Sequence, residues 1–300
     1  MSDTGHISDQ VEHVLAVQSI LGEGPVWDSD EQVLYWTDIE GRAYSRYLPQ
    51  LAEVQRTEVG LRVGSFALRQ SGGLVMATDS GFAFYDPQSA QLTLLADPEA
   101  GKPSMHFNDG KVDPRGRFWA GTMTEDARAY DAGPAALYRL DPDLSVHQMD
   151  TGYAISNGLG WSPDERTMYV TDSPRQVIYA YDYDAVTGQI ANKRTLISTK
   201  GESGVPDGLS VDGEGYIWSA RWGGGKVVRY DPTGAKAREL RLPVQYPTSC
   251  CFGGAALSDL YITSASQAVP PEKRASQPLA GDIFRVRAGV TGLPMFRFRG

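Results

Sequence analysis

The chain has 300 residues, 41% of them hydrophobic and 22% charged, with 28 Lys+Arg against 37 Asp+Glu. That composition is ordinary for a globular protein and supplies a large core. A net charge of −9 with no Lys/Arg cluster excludes the basic stripe that nucleic-acid binding requires, and no run approaches the roughly 20 apolar residues of a membrane helix.

In chain order, the opening "MSDTGHISDQ" is polar and lacks the apolar stretch of a signal peptide, so residues 1–10 read as a flexible tail and the chain as cytoplasmic. From residue 23 onward, one three-part unit recurs. The first reads "EGPVWDSD", "VLYWTDI", "RAYSRYLP"; the second "GSFALRQSG", "LVMATDS", "GFAFYDP"; the third "NDGKVDPRG", "RFWAGTM", "ALYRLDP". The fourth reads "NGLGWSPD", "TMYVTDS", "VIYAYDY"; the fifth "DGLSVDGEG", "YIWSARW", "KVVRYDP"; the sixth "TSCCFGG", "DLYITSA", "DIFRVRA". Each part is short, rich in Tyr, Trp, Val and Ile, and bounded by Gly, Pro or Asp, while helical periodicity is almost absent. This predicts an all-β fold, and units of 40 to 50 residues predict a six-bladed β-propeller of four-stranded antiparallel blades, in one domain over 1–300. The sixth unit has too little sequence for its own outer strand, so "EHVLAVQ" (Glu12 to Gln18) is expected to close the ring. The segment "TEDARAYDAGPAA" of the third unit reads as a lid over the channel mouth.

Aligning the first parts gives a column of Glu23, Gly64, Asn108, Asn157, Asp207 and Thr248, spaced 41, 44, 49, 50 and 41 residues apart. In a propeller these are innermost strands, so the column converges at one end of the central channel. Residues two and four places later are mostly apolar and should pack between blades. Two carboxylates and two amides at one spot form a hard-oxygen set suited to Ca²⁺, Mg²⁺ or Mn²⁺. Taken singly, "NDG", "SNG" and "PDG" are turn signals; their recurrence in one column favours a site. The aspartates of "YDP", "LDP" and "VDPRG" read as turn residues between outer strands. The adjacent Cys250 and Cys251 read as buried thiols. His6, His13, His106 and His147 lack zinc spacing, and there is no GxSxG, GxGxxG in a strand-to-helix context, or P-loop.

The stretches "LGEGPVW", "FNDGKVDPRGRFWAGTM", "SNGLGWSPD", "YDYDAVTGQI", "PDGLSVDGEGYIW" and "TSCCFGG", running from about residue 20 to the C-terminus, resemble the senescence marker protein (regucalcin)/gluconolactonase family of six-bladed propellers. The resemblance implies hydrolysis of a small-molecule sugar lactone to its aldonic acid, with no obligate protein partner. It implies one divalent metal, its identity open among Ca²⁺, Mg²⁺, Mn²⁺, Zn²⁺ and Fe²⁺, held by Glu23, Asn157 and Asp207. It implies substrate contact by Asn108 and by an acid after "GTM", here Asp126 with Glu125 beside it. Two residues before Asn108, where close relatives commonly carry arginine, stands His106, expected in the substrate pocket. Asp207 is the expected general base. Another metal-assisted ester or phosphotriester hydrolysis, or a non-catalytic calcium-binding regulator, stays open as an alternative.

Overall fold

The computed structural model describes residues 10–300; the expected tail falls almost entirely on residues 1–9, outside the described residues. Six four-stranded antiparallel sheets surround a channel as a six-bladed propeller. The innermost strands of blades one to six are Gly22–Asp28, Val63–Leu68, Met105–Val112, Ser156–Trp161, Val205–Val211 and Pro247–Gly253, and they pack against one another around the axis. Second strands such as Val33–Asp38 are buried throughout, whereas fourth strands such as Glu53–Glu58 are mostly exposed. This gradient explains the sequence pattern: a strand buried on both faces reads as a continuous apolar run, and a surface strand alternates.

The sixth blade takes its outer strand from the N-terminus. Glu12–Leu15 pairs antiparallel with Ile283–Arg287, setting Glu12 opposite Arg285 and His13 opposite Phe284. His13 Nε2 lies 2.9 Å from Oδ2 of buried Asp282, whose Oδ1 accepts from the Gln18 N–H at 2.9 Å. Joining the two chain ends closes the ring and covers the edge of Ile283–Arg287.

Large side chains fill the gaps between blades, as the apolar positions after the column require. Trp27 of blade one stacks on Tyr261 of blade six with centroids 5.5 Å apart. Phe82 meets Phe107 at 4.3 Å, Trp119 meets Trp161 edge-on at 6.2 Å, and Trp218 meets Phe252 at 6.0 Å. Leu159, Trp161, Leu209 and Val211 are all buried. Cys250 and Cys251 are free and buried, and burial pushes the Cys250 thiol up to about 12.

One feature departs from the sequence reading and another had no counterpart in it. Asp113 of "VDPRG" is not between outer strands: its turn joins the first and second strands of blade three, and it is fully buried. Its Oδ2 accepts from Arg117 Nε at 2.6 Å, Trp119 Nε1 at 2.9 Å and the Tyr183 hydroxyl of blade four at 2.8 Å, so this aspartate ties two blades together. Asp86 and Asp231 do cap outer turns, accepting backbone N–H groups two residues on. The other feature is the C-terminal segment, which crosses the channel end opposite the column. Gly292 bridges to Asp212, the Trp27 N–H points at Met295 Sδ (3.3 Å), Arg297 pairs with Asp28, and Phe298 bridges to Arg69. Among the described residues no helix is long and apolar enough to cross a membrane.

Candidate active site

The column residues meet at the channel end away from the C-terminal segment, and the cause lies in the backbone. In all six blades the register between first and second strands slips at the column: between Glu23 and Val26, Val63 and Ser65, Phe107 and Gly110, Asn157 and Leu159, Pro206 and Leu209, and Pro247 and Cys250. A bulge bends its strand and re-aims a side chain, so the equivalent bulges bring the side chains of Glu23, Asn108, Asn157 and Asp207 to one place, while Gly64 has no side chain and Thr248 is buried with its hydroxyl donating to the Gly22 carbonyl. The glycines beside them are required by close approach. A Cβ on Gly158 would sit 2.6 Å from the Asp207 carbonyl oxygen, and one on Gly64 would sit 2.5 Å from that of Asn108. "SNG" and "NDG" are therefore close-packed bulges here, not hairpin turns.

Glu23, Asn108, Asn157 and Asp207 line one cavity of about 380 Å³. Met123, Tyr130, Ile155, Val205 and Trp222 form its apolar walls. Glu23, Asn157 and Asp207 are 6%, 7% and 5% exposed. One Glu23 oxygen accepts from the Gly24 N–H at 2.9 Å. Asn157 Nδ2 donates to Asp207 Oδ1 and, at 3.1 Å, to Ser173 Oγ. That leaves Asn157 Oδ1 buried with no partner. Asn108 Nδ2 is tied to the Ser156 carbonyl at 3.0 Å, which leaves its Oδ1 for the cavity.

Buried carboxyl groups dominate the electrostatics of this channel end. Burial raises the Glu23 carboxyl well above the ordinary range, and the charges of Asp207 and Asp109 add to the shift. Burial likewise raises Asp207, with Asp109 adding to it, against hydrogen bonds from Asn157 and the Gly208 N–H. Asp109, the next residue after Asn108, is itself raised by burial and partly relieved by the Lys111 ammonium. Among the described residues no Lys, Arg or His side chain offsets the charge of Glu23 or Asp207. An unpaired buried carboxylate is costly, and two of them beside an orphaned amide oxygen match a divalent ion by charge and by donor chemistry.

The other expected contacts stand apart from this set. His106, Glu125 and Asp126 do not line the cavity. Asp126 caps the short 3₁₀ turn Ala127–Ala132, and its carboxylate is taken up by Arg128 at 2.8 and 2.9 Å. Glu125 accepts from Arg62, and His106 Nε2 lies 3.8 Å from Glu125 Oε1. The loop read as a lid holds that 3₁₀ turn, and from it Tyr130 reaches the cavity wall. Sequence reasoning missed Tyr130, Trp222 and Ser173, although Tyr130 lies in the segment read as a lid and Ser173 directly follows a second strand at the same channel end.

Residues 21–266 match the family described as SMP-30/Gluconolactonase/LRE-like region. Regucalcin of Danio rerio is 42% identical over 295 residues, which is 98% of this chain and 99% of that protein. A solved luciferin-regenerating enzyme superposes with a TM-score of 0.91 at 29% identity, covering 97% of this chain and 99% of its own. A solved calcium-binding protein, regucalcin from Agrobacterium tumefaciens, gives a TM-score of 0.91 at 28% identity, covering 96% and 97%.

Proposed function

Because the chain belongs to the SMP-30/gluconolactonase/LRE-like family, we propose that it is a metal-dependent lactonase that opens sugar lactones to aldonic acids. The observation that carries this reading is the pair of buried carboxylates, Glu23 and Asp207, without a cation, beside the unpartnered Asn157 Oδ1. These three residues would hold one divalent ion, and an all-oxygen set favours Ca²⁺, Mg²⁺ or Mn²⁺. Bound there, the ion would supply Lewis acidity toward the lactone carbonyl oxygen. The cavity above gives room for a monocyclic substrate, which a purely structural ion would not need.

The chain's own groups then account for the proton. With a cation beside it, Asp207 is ionised at neutral pH despite its burial. It accepts the proton of the water that adds to the carbonyl carbon, and returns it to the ring oxygen as the ring C–O bond breaks. Asn108 Oδ1 accepts a hydrogen bond from a substrate hydroxyl, and Tyr130, Met123 and Trp222 limit bulk water around the reacting centre. His106 and Glu125, beside the cavity, serve as hydroxyl contacts, whereas the Asp126 carboxylate is held by Arg128.

The test is acid release from D-glucono-1,5-lactone by protein stripped with a chelator and then reloaded. The reading requires hydrolysis that disappears with the metal and returns with it. Metal binding without hydrolysis of any aldonolactone would instead support a non-catalytic calcium-binding role.

A further inference from the structure

Beside the cavity, next to its lining residue Met123, stand charged groups that the proposed metal site does not use. Arg62 immediately precedes the innermost strand of blade two, at the end where Gly64 stands in the column. Its backbone is pinned, its carbonyl accepting from the Asp79 N–H at 3.0 Å. Its guanidinium reaches both neighbouring blades: Nη2 donates to Glu40 of blade one at 3.1 Å, and Nη1 donates to Glu125 of blade three. Glu125 lies two residues beyond Met123, which lines the cavity and pairs across the sheet with His106.

His106 faces the same carboxylate. Its Nδ1 is 2.9 Å from the Phe107 carbonyl oxygen. A carbonyl only accepts, so Nδ1 carries the hydrogen and the neutral ring presents Nε2 as an acceptor. Nε2 and Glu125 Oε1 therefore oppose each other across 3.8 Å, too far for a hydrogen bond and with no donor between them. Hydroxyl groups are donors and complement such a pair. The Arg62–Glu125 contact has little value as a stability device, because the Glu125 side chain is 54% exposed and exposed ion pairs contribute little. Its consequence is geometric: it fixes a carboxylate beside His106.

We infer that Arg62 is a positioning residue for substrate recognition: it clamps Glu125 beside the cavity so that Glu125 and His106 Nε2 together accept hydrogen bonds from ring hydroxyls. The inference rests on the lactonase reading for its substrate class, a polyhydroxylated ring, and adds a selectivity for hydroxylated over bare lactones.

The experiment compares wild type, Arg62→Ala and Arg62→Lys, all metal-loaded, on D-glucono-1,5-lactone and on δ-valerolactone, which lacks ring hydroxyls. Losing one or two positioned hydrogen bonds predicts a KM for gluconolactone raised about three- to tenfold in Arg62→Ala, with kcat within about twofold. Valerolactone kinetics should stay unchanged, and lysine should recover part of the KM. Equal losses on both lactones, or no change on either, overturn the inference. If wild type hydrolyses neither lactone, the lactonase reading fails, and calorimetric titration with D-gluconate against 5-hydroxypentanoate decides the point. Weaker gluconate binding in Arg62→Ala, with 5-hydroxypentanoate unaffected, sustains the positioning role; equal gluconate affinity in both proteins, or no gluconate binding to wild type, overturns it.

Discussion

Replacing Asp207 by asparagine separates its two proposed roles, metal ligand and general base, in one experiment. The change keeps shape, and the amide oxygen at 207 can still accept from Asn157 Nδ2, the contact present in the native chain. It removes a carboxylate that burial and Asp109 push well above its ordinary range. Metal-free Asp207→Asn should therefore be at least as thermostable as metal-free wild type at pH 7.5, because a buried charge has gone. With metal the order reverses. At a free ion concentration of 100 Kd, wild type gains about 2.7 kcal/mol, which for a chain of this size raises Tm by about 4 °C. The variant lacks a charged ligand and should gain under about 1 °C. Loss of the general base alone lowers kcat by about 10²–10⁴. Scanning calorimetry with and without Mn²⁺, paired with acid release from gluconolactone, reads all three. A metal-induced shift equal to wild type would refute the ligand assignment, and a metal-free variant several degrees less stable would show that Asp207 serves as a structural acceptor.

The raised carboxyls also set a pH dependence. Native Glu23 and Asp207 hold protons that the unfolded chain releases from about pH 4 upward, so their contribution makes metal-free stability fall as pH rises from there toward their native values. Metal stabilisation, measured as the Tm difference with and without Mn²⁺, should accordingly be larger at pH 7.5 than at pH 5, and an equal difference at both would contradict a site built from these carboxyls. His106→Ala should raise KM for gluconolactone several-fold and leave metal affinity, read by calorimetry, unchanged. Deleting residues 1–15 removes Leu15 from its apolar contacts and leaves buried Asp282 without His13; about 2–4 kcal/mol of lost stability, or about 3–6 °C in Tm, should follow, with association through the bare edge visible by light scattering.

What was legible in the sequence is what repeats. Six copies of one strand pattern betray the propeller, and the column from Glu23 to Thr248 is found by alignment because equivalent strands place equivalent residues at one channel end. The closing strand follows from counting what the sixth unit lacks. The bulges were not legible: "NDG" and "SNG" carry the same residues in a bulge as in a turn, and only the neighbouring blade's carbonyl 2.6 Å from a Gly158 Cβ decides between them. Contacts between non-equivalent positions were hidden for the same reason. Nothing in the order of residues says that Arg62 meets Glu125, that Asp113 ties itself to Tyr183, or that Arg128 occupies Asp126. Tyr130 lies in the loop singled out as a lid, but which of its residues turns inward depends on the 3₁₀ turn that Asp126 caps.

The central claim is that ion occupancy of the Glu23–Asn157–Asp207 site and lactone hydrolysis are one property. Metal-free protein titrated with Mn²⁺, with bound metal and the rate of gluconolactone hydrolysis measured on the same samples, tests it directly. The account predicts that rate rises in proportion to occupancy and saturates at one ion per chain. Hydrolysis that is already full in the metal-free protein, or absent when the site is saturated, would contradict it.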